Sequence, residues 1–202
     1  MDHVAGLPAG LAPPVKVALA RAIANMPRGD ASHGTLLFEP KWDGYRCVAV
    51  RDDHGATLWS RQGKELTGYF PEILEALAGQ VPPGCVLDGE AVVWSGDRLD
   101  FDALQRRLVA SKAGLPALIR EQPASFVAFD LLAVAGHDIR DTPLKQRREL
   151  LEQLAAGWMP PLNLSPHHPE PRSGTHMVRR TAPRGPGRAR GQRCRTELPG
   201  RR

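Results

Sequence analysis

The composition of the chain breaks near residue 166, and the break confines any packed fold to what precedes it. No Phe, Trp or Tyr occurs after Met159. Residues 166–202 hold ten arginines, no lysine and two glutamates, a net of +8. The stretch HMVRRTAPRGPGRARGQRCRTELPGRR has no apolar repeat of either helical or strand period. It cannot bury enough surface to offset its chain entropy, so disorder is expected there. Arg, Gly, Pro and Ala are also what GC-rich codons yield in a shifted frame, so a basic arm and an out-of-frame tail are equally open readings. Residues 1–165 hold 17 basic and 20 acidic residues, a net of −3. The total of +5 therefore belongs to the tail, and it is no argument that the body binds nucleic acid.

The body has an ordinary globular balance, the whole chain being 42% hydrophobic and 24% charged. No apolar run approaches the roughly 18 residues of a membrane span, and MDHVAGLPAGLAPPV lacks the basic-then-apolar order of a secretory signal. Cys47, Cys85 and Cys194 are odd in number and far apart, which fits neither a disulfide framework nor a metal motif. A reducing, cytoplasmic compartment is expected, with Cys47 and Cys85 as small core filler.

Residues 15–26 have apolar residues at helical spacing, and TLLFEP reads as a strand. A hairpin is expected from strands 45–51 and 56–61 around the turn DDHG. Residues 71–80 open on a first-turn proline and read as a helix. CVLDGEAVVW, 85–94, is a strand pair or one long strand bent at Gly89. Asp100 precedes a helical pattern as a plausible N-cap, and 125–134 is the strongest strand. Residues 142–155 read as a helix with Thr142 as cap and Pro143 in first position. Hairpins interleaved with helices, with few βαβ crossovers, predict an α+β fold of antiparallel sheets with flanking helices.

Among five lysines, Lys41 stands out in EPKWDGYR, with Asp43 and Arg46 close by. A lysine acts as a nucleophile only as the free amine, so its proton must be lost to its surroundings or to a neighbour. WSRQGKELT adds Arg61, LDGE adds two acids, and AFDLL adds an aromatic and an acid in an apolar strand. Lys, Arg and acids together could hold a phosphate, a metal or both. Singly, each motif has a plainer explanation: Asp-Gly makes hairpin turns, and Asp130 in a strand could pair with an arginine. Trp59 and Trp94 read as core, His167 and His168 lack metal spacing, and Arg147, Arg148, Glu149 and Glu152 read as a solvated helix face.

In order and spacing, EPKWDGYR, SRQGKELT, LDGEAVVW and FVAFDLLAVAGHDIRDTPLKQRRELL, with FDALQRR between, resemble the signature of the covalent nucleotidyltransferases, ATP-dependent DNA ligases in particular. The resemblance covers about residues 11–165. It implies a partial adenylation domain over 1–165, an incomplete nucleotidyltransferase (ATP-grasp-like) fold, with the tail at 166–202. It implies ATP and Mg²⁺ as cofactors and nicked double-stranded DNA as partner. It also implies a cytoplasmic, nucleoid-associated bacterial protein, with a monomer expected. By resemblance, Lys41 attacks the α-phosphate of ATP and Asp43 orients its loop. Glu39 lies beside the adenine, and Arg46 holds ribose or phosphate. Arg61 contacts the nucleotide or the DNA 5′-phosphate. Glu90 binds ribose or positions metal, and Phe129 stacks on adenine with Asp130 supporting the pocket. RNA ligases and capping-type transferases share the lysine motif, and a non-catalytic DNA-binding fragment is an alternative of another class. The family's later E-G-x-x-x-K and K-x-K motifs are not read here, and no lysine follows Lys145. Weak folding, an exposed sheet edge and little complete nick sealing are the corresponding expectations.

Overall fold

A computed structural model describes Leu7, Ala9–Ala18 and Phe38–His167. Strand β1 (Tyr45–Asp52) and strand β2 (Gly55–Ser60) form the expected hairpin, antiparallel from Cys47↔Ser60 to Asp52↔Gly55. Its turn is fixed by Asp52, whose Oδ1 accepts from the His54 N–H at 2.8 Å and the Gly55 N–H at 3.0 Å. Four consecutive buried residues, Cys47–Val50, show that both faces of β1 are covered. Cys47 and Ala49 point into one apolar cluster, Val48 and Val50 into another, as the period of two requires.

The first cluster is roofed by helices. Helix α1 (Pro71–Gln80) starts on its proline and buries Ile73, Ala76 and Leu77. Helix α2 (Phe101–Val109) is capped by Asp100, whose carboxylate accepts from the Ala103 N–H at 2.8 Å. A short helix, α3 (Leu115–Glu121), was not anticipated; Pro116 in its first turn is its one starting signal. The second cluster is covered by the N-terminal segment through Leu7, Leu11, Val15 and Val17.

Strand β3 (Cys85–Ser95) is one continuous strand, pairing with β1 on one side and β5 (Ala124–Val134) on the other. Register with β5 shifts between Asp88 and Gly89: Asp88 pairs with Asp130 and Gly89 with Ala128, so Phe129 lies opposite no residue. Such a bulge re-aims a side chain out of the pleat. Glycine is required at 89, because a Cβ there would sit 2.5 Å from Phe126 Cζ and 2.6 Å from the Val127 carbonyl. β4 (Arg98–Leu99) folds back on β3, and β6 (His137–Asp138) on β5.

Helix α4 (Leu144–Ala155) differs at its start from expectation. Pro143 is the N-cap, and no side chain caps the helix, so Thr142 lies one residue too early. Its carbonyl instead accepts from Arg147 Nη1 at 2.6 Å. After α4 the chain re-enters the sheet as β7 (Leu162–Leu164), parallel to β5 along Phe126–Ala128. The fold is thus α+β as expected, one seven-stranded sheet ordered β2-β1-β3-β5-β6 with β4 beside β3 and β7 beside β5; among the described residues β5 and β7, joined by a βαβ crossover, are the one parallel pair. β7 covers part of the β5 edge that was expected to stand exposed. Trp59 and Trp94 are half-buried rather than fully interior. Of the expected helix at 15–26, residues 15–18 are coil and 19–26 lie outside the described residues. The strand expected at TLLFEP (before Phe38) and the basic stretch from residue 168 also lie outside them.

One buried ion pair ties the helices to the sheet. Arg107 of α2, 1% exposed, donates to Glu72 of α1 at 2.5 Å and to the Gln122 carbonyl at 2.6 Å. The same Glu72 oxygen accepts the Ala124 N–H at 2.8 Å, where β5 begins. Arg107→Ala strands a buried carboxylate and should cost about 3–5 kcal/mol. Asp100→Ala removes only a helix cap and should cost about 1 kcal/mol. Urea unfolding of the two variants checks this ordering; equal midpoints would contradict it.

Candidate active site

The loop Glu39–Gly44 leads into β1 and is fastened at three places. Gly44 lies flat on β3: a Cβ there would strike the Ala91 carbonyl and stand 2.8 Å from both Glu90 Cγ and Val92 Cγ1. The Gly44 N–H also donates to the Glu90 carboxylate. Trp42 Nε1 donates to Ser165 Oγ at 3.0 Å, and its ring meets Trp94 edge-on at 6.3 Å. Glu39 Oε1 accepts from Arg148 Nη1 at 3.1 Å. Lys41 stands exposed between these fastenings, with no hydrogen bond or ion pair among the described residues. Asp43 is exposed on the same loop and lies within the field of Glu90.

Beneath the loop, Arg46 grips Asp88 with two bonds, Nε to Oδ1 at 3.1 Å and Nη2 to Oδ2 at 2.6 Å. Nη2 also donates to the Ala18 carbonyl at 2.7 Å. The guanidinium lies 5.4 Å from the centre of the Phe129 ring, the residue raised by the β5 bulge. Asp130 is held in the same two-bond manner by Arg147, at 2.9 and 2.7 Å. Glu39, Arg46, Glu90 and Phe129 are therefore brought together around the base of the Lys41 loop. Arg61 is exposed in the turn after β2 and makes no contact with this group among the described residues.

Charge inside this group is unevenly balanced. Burial pushes Asp88 up, opposed by its bond to Arg46, while that bond in turn raises Arg46. Burial pushes Glu90 up to about 7, opposed by Arg46 and the Gly44 N–H and reinforced by Asp88 and Asp43. Burial likewise carries Glu39 to about 7, opposed by Arg148 and reinforced by Asp130 and Asp88.

Of the residues expected to form a solvated face, Glu149 is exposed, whereas Arg147 and Arg148 turn inward and form a wall of the site. Arg148 is 5% exposed and reaches Glu39, Glu152 at 2.9 Å and the Ser165 carbonyl at 2.5 Å. Its place on the helix that follows the FDLL strand was the available signal; what it would face was not. Ser165 is a further site component that motif reading did not single out, and Asp88, one of the two acids of LDGE, was given no role there. Among the described residues no group of three or more His, Cys, Asp or Glu is placed to hold a metal, and His167 sits 3.3 Å from Glu152. His168 lies outside the described residues.

Residues 11–167 match the model of the ATP dependent DNA ligase domain. DNA ligase C2 of Mycolicibacterium smegmatis is 38% identical over 154 residues, 76% of this chain and 42% of that protein. DNA ligase C of Mycobacterium tuberculosis is 39% identical over 155 residues, 77% of this chain and 42% of that protein. The ligase domain from M. tuberculosis LigD superposes with a TM-score of 0.52 at 32% identity, over 65% of this chain and 39% of that one. The chain belongs to the ATP-dependent DNA ligase family. It spans 42% of the length of those two curated relatives.

The raised carboxyls set a pH dependence of stability. A carboxyl whose folded pKa exceeds its ordinary value binds protons more readily folded than unfolded. Its effect is to lower stability as pH rises from 4.5 through about 7. Glu39 acts with the same sign but is 34% exposed, and solvent screens its share. Urea midpoints measured across this window should fall for the wild type and fall less for Glu90→Gln. A variant that declines as steeply as the wild type would remove Glu90 as the cause.

Proposed function

We propose that this chain carries the nucleotidyl-transfer step of an ATP-dependent DNA ligase, with Lys41 as nucleophile and nicked double-stranded DNA as the acceptor. The observation that carries this reading is Lys41 itself: an exposed amine with no carboxylate partner among the described residues, on a loop pinned on both sides, in a chain of that family. Carboxylates paired to a lysine would hold its proton, and here the nearby acids Asp88, Asp130 and Glu39 are each bonded to an arginine instead.

The Lys41 amine forms a bond to the α-phosphorus of ATP as the bond to the pyrophosphate oxygen breaks. Pyrophosphate leaves, the nitrogen gives up a proton, and a lysyl-AMP phosphoramide remains. The AMP moves to the 5′-phosphate of the nick, and attack by the 3′-hydroxyl on that phosphate releases AMP and closes the strand. Asp43 orients the lysine loop. Arg46 retains an Nη1 with no hydrogen bond among the described residues, a donor suited to a phosphate or ribose oxygen. An adenine on Phe129 would use the ring face opposite that guanidinium. Glu39 borders the adenine, and Arg61, exposed in its turn, meets the nucleotide or the DNA phosphate. Mg²⁺ would offset phosphate charge. Glu90 fits it, because its carboxylate is bonded to a backbone N–H rather than to an arginine, and Mg²⁺ commonly uses one or two carboxylates plus phosphate oxygens. The free buried thiols Cys47 and Cys85 suit a reducing cytoplasm, where the substrate would be nucleoid DNA.

Intact mass after incubation with ATP and Mg²⁺ tests the first step. The wild type should gain a single AMP and Lys41→Ala none. A wild type that stays unmodified while folded would reject the assignment of Lys41. Offering nicked DNA and nicked RNA to the AMP-loaded chain then tests the acceptor.

A further inference from the structure

The residues that fasten the Lys41 loop do not belong to the loop's own hairpin. Besides the contact of Gly44 with β3, they come from α4 and from the end of β7, 109 and 123 residues away in the chain. Arg148 spreads its guanidinium over three acceptors: Nη1 to Glu39, Nε to Glu152, and Nη2 to the Ser165 carbonyl. Ser165, fully buried, is tied to β5 by its N–H on the Ala128 carbonyl at 2.7 Å. Its hydroxyl accepts from Trp42. Arg148 therefore reaches residue 39 directly and residue 42 through Ser165. These two residues bracket Lys41, two before it and one after.

We propose that Arg148 and Ser165 form a two-armed clamp that positions Lys41 for attack, with Arg148 and Ser165 as positioning residues rather than catalytic ones. A planar guanidinium suits this task, because its donors diverge in one plane and fix the directions of several acceptors together. Positioning is worth much in such chemistry, since the reacting atoms must be held within a narrow approach geometry. The clamp also gives β7 a role beyond closing the sheet, because its exit carries Ser165 to the loop. The functional half of the proposal rests on Lys41 being the nucleophile; the structural half does not.

The test uses the full chain and two readouts. In single-turnover AMP transfer at saturating ATP and Mg²⁺, Ser165→Ala and Arg148→Ala should slow lysine adenylation by about ten-fold or more. Ser165→Ala should leave the half-saturating ATP concentration near the wild-type value, since the serine does not border the nucleotide. Arg148→Lys, which keeps the charge but loses the fork, should fall between. Glu149→Gln, on the exposed face of the same helix, should behave as the wild type. The second readout is amide hydrogen exchange of residues 41–44, which should quicken in both alanine variants without ATP present. Folded alanine variants that adenylate at the wild-type rate would overturn the positioning role. Unchanged exchange at 41–44 would overturn the clamp itself. If the wild type accepts no AMP, the assignment of Lys41 fails, and the exchange measurement alone decides the clamp.

Discussion

A carboxylate in the middle of a buried strand governs this structure. β3 lies between β1 and β5, and the Asp88 side chain within it is 3% exposed. A lone charge there would be very costly, so it must be paired and hydrogen-bonded. Arg46 meets it with two parallel bonds, the geometry in which a guanidinium is strongest. Asp88 lies opposite Val48, so the arginine reaches it diagonally from two residues along the same face. A slip of one residue would turn Arg46 to the other face and leave Asp88 bare. Pair and register therefore enforce each other. The same guanidinium touches the Phe129 ring and the Ala18 carbonyl, joining three strands and the N-terminal segment at one point.

How far this could be read from sequence depends on whether a residue's partner lies nearby in the chain. The hairpin at 45–60, helix α1 and the Asp100 cap follow from local signals, and each stands where those signals put it. The irregularity of pairing at Gly89 was marked by its glycine, although the extra residue belongs to β5 and leaves Phe129 unpaired. The arginines of α4 were misread because a charged run on a helix has no intrinsic direction. Only the crossover from β5 to β7 brings Arg148 to Glu39 and Ser165. β7 itself, three residues followed by a serine, a proline and two histidines, carries too little pattern to be separated from a loop. The lysine motif was recognisable as an ordered set of segments, whereas the fastenings of its loop are contacts over more than a hundred residues and have no sequence period.

The distribution of arginines explains how a lysine can stay free amid so many acids. Asp88 is matched by Arg46, Asp130 by Arg147 and Glu39 by Arg148. Arginine is the cation that can do this, because it keeps its charge when buried and binds a carboxylate through two donors. Lysines in those places would themselves be liable to lose protons on burial. With these three acids matched to arginines, none of them is an ion-pair partner of the Lys41 amine. Glu90 is the exception: its carboxylate accepts from Gly44, the last residue of the lysine loop, and from no arginine. Burial holds it near neutrality, so its charge can respond to whatever cation or proton arrives beside the loop. The site thus separates acids locked in pairs with arginines from the half-buried Glu90 and the exposed Asp43, which bond to no arginine among the described residues.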